Sequence, residues 1–350
     1  MIKLDRGAKA PLYQQVKSGL LEHIKASSTS HDQPIPSERE LAEMLKLSRL
    51  TVRRSIVELA DEGFLRRIPG RGTFIIGGTR APAANIALVL GMDAQSDLGG
   101  AFLTRLLGGI MAACRPAALS LRALPDVGDL AETQALIAMW VIDPELMRGL
   151  ADGGRPVLAY ECVPCSSSRP YDAIGHANEE GAFAAVNALI VLGHRDIACA
   201  VHTSPVARER QAGFERAMAV HGLAVPPGRI YPVMPSCEAG YAFGRQLLAE
   251  PSSAPTAVVC SDDHIASGIL TAANESGVQV PGFISLVGFG DLGVFSTPAM
   301  SSVRMDIQGS GRDAVRLLRE RLADPALPAR HHILSTEFIR RASCGPPRRS

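Results

Sequence analysis

Long apolar runs are missing from this chain: none approaches the roughly 18 to 20 residues that a membrane-spanning helix requires, so no membrane span is expected. The opening residues Met1-Ile-Lys-Leu-Asp-Arg-Gly-Ala-Lys9 carry charge where a secretion signal needs an apolar centre, so a cytoplasmic location is expected. Lysine is scarce. All five lysines lie at or before Lys46, so the rest of the chain offers no convincing lysine for a pyridoxal-phosphate Schiff base. The seven cysteines are scattered, and only Cys162-Val-Pro-Cys165 has metal or redox spacing. No second pair completes a zinc site, and Pro164 with the following Ser-Ser-Ser-Arg-Pro reads as loop. Reduced thiols, with no metal and no cofactor, are the expectation. A nucleophilic triad and a phosphate-cradling loop are also missing. Glu179-Glu180 and Asp262-Asp263 are adjacent pairs, which on a helix do not face each other. No enzyme is expected.

What is present is a globular composition, 46% hydrophobic and 20% charged over 350 residues, long enough for two domains. The net charge of +1 hides an asymmetry. Residues 1–80 hold 14 Lys+Arg against 9 Asp+Glu, and the remainder 22 against 26. A basic head on a mildly acidic body suits a polyanion-binding module at the N-terminus.

In the head, Leu12, Val16, Leu20 and Ile24 recur four apart, which predicts an amphipathic helix with Pro11 in its first turn. Ser37-Glu-Arg-Glu40 predicts a capping box at the start of a second helix. Ser48 caps a third, whose Val52, Ile56 and Leu59 face inward and which Gly63 stops. Phe64–Ile68 and Thr73–Ile76, around Pro69-Gly-Arg-Gly72, predict a β-hairpin wing. The stretch Gly77–Ala84 is small, aperiodic and Gly/Pro/Ala-rich, a linker.

Beyond the linker the pattern changes. Short apolar strands are predicted at Ile86–Leu90, Met139–Ile142, Val157–Tyr160, Ile197–Val201, Ala257–Cys260 and Ile284–Gly288. Helices alternate with them, at Phe102–Cys114, Gly181–Leu192, Arg210–His221, Cys237–Ala249 and Ile265–Ser276. Alternation of this kind implies α/β architecture with parallel sheets, whose ligands lie in the crevice at the strands' carboxyl ends.

A helix that enters the major groove needs donors near its N-terminus. Ser48, Arg49, Thr51 and Arg53 supply them here, with Arg49 and Arg53 one turn apart. Arg71, between two glycines at the wing tip, can approach a minor groove or a phosphate. Taken in order, Leu12-Tyr-Gln-Gln, Pro36-Ser-Glu-Arg-Glu-Leu-Ala42, Leu47-Ser-Arg-Leu-Thr-Val-Arg53, Leu59-Ala-Asp-Glu-Gly63 and Gly70-Arg-Gly-Thr-Phe-Ile75 resemble the GntR-family winged helix-turn-helix. The resemblance covers residues 10 to 76 and implies DNA contact by Arg39, Arg49, Thr51, Arg53 and the wing around Arg71. The segment Lys25–Pro34 lacks the glycine that the family often has there.

The body is similar to the LacI/GalR effector domain, itself akin to periplasmic sugar-binding proteins. The residues that carry the likeness are Ala188–Ala198 around Leu-Gly-His-Arg, Arg210-Gln-Ala-Gly-Phe214, Ser261-Asp-Asp-His-Ile-Ala266 and Val280–Phe289. It implies two αβα lobes that close on a small molecule, usually a sugar or its phosphate, held here by Arg210, Asp262 and Asp291. His194 matches a turn residue of the family rather than a ligand. Two departures bear on specificity. The family's acidic residue after Val-Gly-aromatic is Gly290, with Asp291 one step on, and its aromatic platform is Pro235. The usual LacI-type hinge helix is absent, so coupling to DNA takes another route.

The expectation is therefore a winged helix-turn-helix over 1–77, a linker over 78–84, and a two-lobed periplasmic-binding-protein-like domain over 85–343 for effector binding and dimerisation. Such a homodimer would bind double-stranded operator DNA, most simply as a repressor, under the control of a sugar-like effector. A regulator whose body no longer senses, or a solute-binding protein, are the alternatives.

Overall fold

The computed structural model describes residues 11–26, 34–61, 65–68, 72–75, 84–91, 99–117, 119–124, 130–162, 164, 171–293 and 296–348. The chain divides into two compact units, Met1–Ala83 and Ala84–Ser350.

The first unit is three helices and a hairpin. Helix α1 (Leu12–Ala26) turns Val16 and Leu20 fully inward, as the four-residue spacing requires. Helix α2 (Glu38–Leu45) opens on the capping box: Glu40 N donates to Ser37 Oγ at 3.2 Å, and Ser37 N donates to Glu40 Oε2 at 2.7 Å. Helix α3 (Arg49–Asp61) buries Val52, Ile56 and Leu59 completely. Its buried Ser55 donates to the Tyr13 carbonyl at 2.7 Å, which fixes α3 against α1. Strands β1 (Leu65–Ile68) and β2 (Gly72–Ile75) pair antiparallel, and Ile35 N donates to Thr73 O to tie the approach to α2 onto the hairpin. Gly63, Arg71 at the wing tip and most of the expected linker lie outside the described residues.

The second unit has two lobes, each built on a six-stranded sheet. In chain order the first lobe contributes β3 (Ala84–Leu90), α4 (Gly99–Cys114), β4 (Leu119–Leu124), β5 (Ala135–Met139), α5 (Pro144–Asp152), β6 (Val157–Tyr160) and β7 (Asp172–His176). The second contributes α6 (Asn178–Val191), β8 (Ile197–Val201), α7 (Pro205–Val220), β9 (Ile230–Pro232), α8 (Cys237–Ala249), β10 (Ala257–Cys260), α9 (Asp263–Glu275), β11 (Ser285–Gly290) and β12 (Ser301–Met305). Helix α10 (Ile307–Ala323) then returns to pack on α4. Strand β13 (His331–Leu334) joins the first sheet, and β14 (Thr336–Ile339) the second. The sheet orders are β13-β7-β6-β5-β3-β4 and β14-β12-β11-β10-β8-β9, parallel throughout except for the β12–β14 pair. The chain therefore crosses between lobes three times, at Ala177, Asp306 and Ser335.

Fully apolar strand centres explain the parallel sheets, since helices cover both faces. Every residue of β5, β6, β8 and β10 is buried. One strand differs from its expected position: the apolar run at Met139–Ile142 is not itself a strand, and β5 ends at Met139. Trp140 adopts φ 55° and leads the chain out of the sheet. At the start of β7, wholly buried Asp172 receives Arg321 at 2.8 Å and Arg330 at 2.8 Å. Burial alone would raise its pKa; the two guanidiniums outweigh that and hold the carboxyl below its ordinary value.

Candidate functional site

Two surfaces bring chemistry-bearing residues together. The first is the start of α3. Ser48 Oγ accepts from Thr51 N at 3.2 Å and lies 2.8 Å from Thr51 Oγ1, so the helix begins on a tight polar cap. Arg49 and Arg53 project from it exposed and without a carboxylate partner among the described residues. Between them Leu50 is 81% exposed, an apolar side chain on an otherwise polar surface. The adjacent Arg54 is different: it lies 3.7 Å over the Tyr13 ring and 3.2 Å from Glu58, which Lys17 also contacts. Those contacts draw the Glu58 carboxyl below its usual value, the Lys17 bond foremost. Arg39 on α2 is exposed and held by Glu43 at 3.1 Å. Of the six residues expected to touch DNA, five are therefore exposed or half-exposed on α2 and the start of α3, and Arg71 lies outside the described residues.

The second surface is a cleft between the lobes of the second unit. Strand ends build it. Trp140 follows β5, Glu161 follows β6, His202 follows β8, Asp262 stands two residues after β10, and Phe289 and Gly290 close β11. This is the crevice that parallel sheets offer at their carboxyl edges. Trp140 and Glu161 both take left-handed backbone, φ 55° and 50°, which side chains other than glycine rarely adopt and which concentrates at working sites.

Arg210 is the buried cation of the cleft, 9% exposed. Its Nε donates to Asn178 Oδ1 at 2.9 Å, its Nη1 to the Ser261 carbonyl at 2.6 Å, and its guanidinium stacks 3.9 Å over Phe289. Among the described residues Nη2 has no hydrogen-bond partner. Burial pulls its pKa down, and Glu161 and Asp262 oppose that pull. Asn178 extends the network across the first lobe crossing, donating to Glu209 at 3.0 Å and more weakly to Glu161 at 3.5 Å. Glu161 is pinned through one oxygen, which accepts from His176 N at 3.0 Å and lies 2.6 Å from His176 Nδ1. Asp262 serves two purposes: its Oδ1 caps α9 by accepting from His264 N at 2.7 Å, while the residue lines the cleft. His202 is held neutral, its pKa pushed down to about 4 by burial first and by Arg210 second, with Asp262 opposing.

Arg210 and Asp262 thus line the same cleft. Asp291 does not join them. Its left-handed backbone, φ 51°, and ion pairs to Arg304 and Arg341 at 2.8 Å each draw the carboxylate into a separate cavity with Asp263 and Ser302. His194 is structural: it is buried between Thr256 Oγ1 at 2.8 Å and the Gly345 carbonyl at 2.9 Å. Cys162 lies against the Ala138 carbonyl at 3.1 Å, and Cys165 lies outside the described residues. No cluster of three metal-ligating side chains occurs among the described residues. No helix among them is long and apolar enough to cross a membrane. Sequence reasoning missed Trp140, Glu161 and His202. The available signal was position for two of them: Glu161 and His202 directly follow expected strands, whereas Trp140 fell inside the expected run Met139–Ile142.

An exposed arginine-bearing helix start in one unit and a cleft between two lobes in the other are the two parts of a DNA-binding regulator. Residues 12–75 match the gntR family of bacterial regulatory proteins, and residues 186–344 match a periplasmic binding protein-like domain. The chain is 28% identical over 305 residues to the arabinose metabolism transcriptional repressor of Geobacillus stearothermophilus, covering 80% of this chain and 82% of that one. It is 32% identical over 177 residues to the HTH-type transcriptional repressor PurR of Aliivibrio fischeri, covering 49% and 52% respectively, about half of that protein. A LacI-family regulator from Enterococcus faecium, solved with bound ribose, superposes with a TM-score of 0.65 at 22% identity over 75% of this chain and 99% of that one. The protein is a DNA-binding transcriptional regulator with a gntR-type helix-turn-helix domain at residues 12–75 and a periplasmic-binding-protein-like domain at residues 186–344.

Proposed function

We propose that this regulator is a repressor whose operator affinity is set by a small molecule bound in the interlobe cleft. The observation that carries the reading is one chain holding both parts: Arg49 and Arg53, one turn apart at the start of α3 and without a carboxylate partner among the described residues, and a cleft in which the buried Arg210 has no hydrogen-bond partner for Nη2 among them. Arg49 and Arg53 read base edges, while Ser48, Thr51, Arg39 and Arg71 hold phosphates. The protein works as a homodimer on a pseudopalindromic operator with half-sites about one helical turn apart. It acts in the cytoplasm by binding alone, without a catalytic step. Residues 78–84 link the head to the effector-binding and dimerisation domain.

In the body, the three crossings at Ala177, Asp306 and Ser335 are the pivots about which the lobes close on the effector. Closure shifts the heads between DNA-competent and incompetent states, with a coupling of about 1–3 kcal/mol. The arabinose-named relative and the ribose-bound neighbour support an effector of the size of a sugar or sugar derivative.

The test is fluorescence anisotropy on the DNA upstream of the protein's own gene and on random DNA of equal length, at fixed salt. Specific binding at least a hundredfold tighter than random is expected. Equal affinity for the two would remove the operator-reading role of the head.

A further inference from the structure

Leu50 is the most exposed large apolar side chain among the described residues, at 81%, and it lies in the leading turn of α3. Successive residues step round a helix by about 100°, which sets Leu50 opposite the buried Val52 and Leu59. The core of the head makes no use of it. A lone exposed leucine is ordinary on a protein surface; the position of this one is not.

Its neighbours belong to a surface that meets a polyanion. Arg49 precedes it and Arg53 follows one turn on, both exposed and neither with a carboxylate partner among the described residues. The first turn of α3 holds no acidic residue, although the helix dipole favours one there. Ser48 and Thr51, whose hydroxyls lie 2.8 Å apart, complete the turn. These side chains can donate to phosphates and base edges, whereas leucine can neither donate nor accept.

The major groove offers such a side chain little to meet. Base edges there carry N7, O6 and O4 acceptors, N4 and N6 donors, and a single hydrocarbon group, the C5-methyl of thymine. Leucine pressed against a donor or acceptor strips its water and returns no hydrogen bond, which is unfavourable. Against the methyl group both partners bury apolar surface, which is favourable. The same side chain thus favours thymine and disfavours the polar edges of the other bases.

We infer that Leu50 is a specificity-determining residue, which reads one thymine of the operator through its 5-methyl group. Arg49 and Arg53, on either side, address the neighbouring base pairs. The inference rests on the operator-reading role of the head proposed above.

Uracil lacks only that methyl group and pairs with adenine as thymine does, so the first arm of the test needs no change in the protein. In the DNA upstream of the protein's own gene, thymines are replaced by uracil one at a time. Binding by the full-length protein is followed by fluorescence anisotropy at fixed salt, beside random DNA of equal length. Uracil at one thymine of a half-site should weaken binding about three- to tenfold, the contribution of one buried methyl contact. Leu50→Ala replaces an exposed side chain by a better helix former and should bind the thymine and uracil forms of that site equally. Cytosine in place of the same thymine should weaken binding by the parent protein, and 5-methylcytosine should recover the part owed to the methyl group. Specific binding that no single uracil weakens overturns the inference and leaves the operator-reading role of the head intact. A uracil effect that persists undiminished in Leu50→Ala assigns the methyl contact to another residue and also overturns it. Equal binding of upstream and random DNA overturns the inference together with the reading it rests on.

Discussion

Arg53 and Arg54 are neighbours in sequence but not in role. Arg54 is held by the Tyr13 ring and Glu58, while Arg49 and Arg53, one turn apart on α3, meet no carboxylate among the described residues. Arg49→Ala should cost about 1–3 kcal/mol on the operator and relax specificity at one base pair. Arg54→Ala should leave base preference unchanged and lower the stability of the head. Anisotropy on a set of single-base operator variants separates the two, and a parallel loss of operator and random DNA by Arg49→Ala would contradict base reading. Acid response also belongs to single residues. His202 has its pKa pushed from 6.5 down to about 4, so the unfolded chain binds the extra proton between those values. Its contribution to stability is therefore present above pH 6.5 and lost as pH falls toward 4, to the extent of about 3 kcal/mol. Asp263, buried against Ser302 and Leu292, has its carboxyl pushed up from 3.8 to about 6, mainly by burial. Its contribution runs the other way, present at low pH and lost as pH rises through 6. Urea midpoints across this range should therefore slope oppositely in His202→Gln and Asp263→Asn, upward with falling pH in the first and downward in the second. Parallel profiles in the two variants would contradict the assignment.

At the scale of elements, close helix packing fixes the second lobe. A Cβ on Gly213 of α7 would meet the Glu179 carbonyl of α6 at 2.1 Å, whereas one on Gly149 of α5 would meet nothing within 4 Å. Gly213→Ala should therefore destabilise the protein by about 1–3 kcal/mol. Gly149→Ala, exposed in a helix interior, should stabilise it by up to about 1 kcal/mol. Urea denaturation measures both, and a Gly213→Ala variant as stable as the parent would refute the close approach. The elements themselves were legible in the sequence to the extent that burial patterned them. The capping box at Ser37 and Glu40, the third helix with its inward Val52, Ile56 and Leu59, and helix α8 at Cys237–Ala249 lie where the spacing placed them. The fully buried strands β6, β8 and β10 were equally plain. Edge strands β4 and β13 were not, because only one residue of β4 and none of β13 is buried, so no continuous apolar run marks them. Of the cleft, Arg210 and Asp262 could be read from motif alone. Glu161 and His202 stand directly after strands whose ends the sequence marked, whereas Trp140 was hidden inside the apolar run Met139–Ile142, because β5 ends at Met139. Asp291 lay within the right motif, yet its arginine partners come from Arg304 and Arg341, far along the chain.

The whole molecule works as a regulator if events in the cleft reach the DNA-binding head. The lobes are joined by three short crossings and share the Glu161–Asn178–Arg210 network, so a ligand that engages both sides of the cleft favours one interlobe arrangement over another. Arg210→Ala should leave effector-free operator affinity unchanged and abolish the response to effector. Linkage makes the central claim testable in one number, because a ligand that changes operator affinity by some factor must itself be bound more tightly or weakly by that factor when operator is present. The most direct measurement is the affinity of a cleft ligand, read from Trp140 emission, with and without saturating operator DNA. A shift of about 5- to 150-fold is expected, equal to the change that the same ligand causes in operator affinity. Identical ligand affinity in the presence and absence of operator would contradict it.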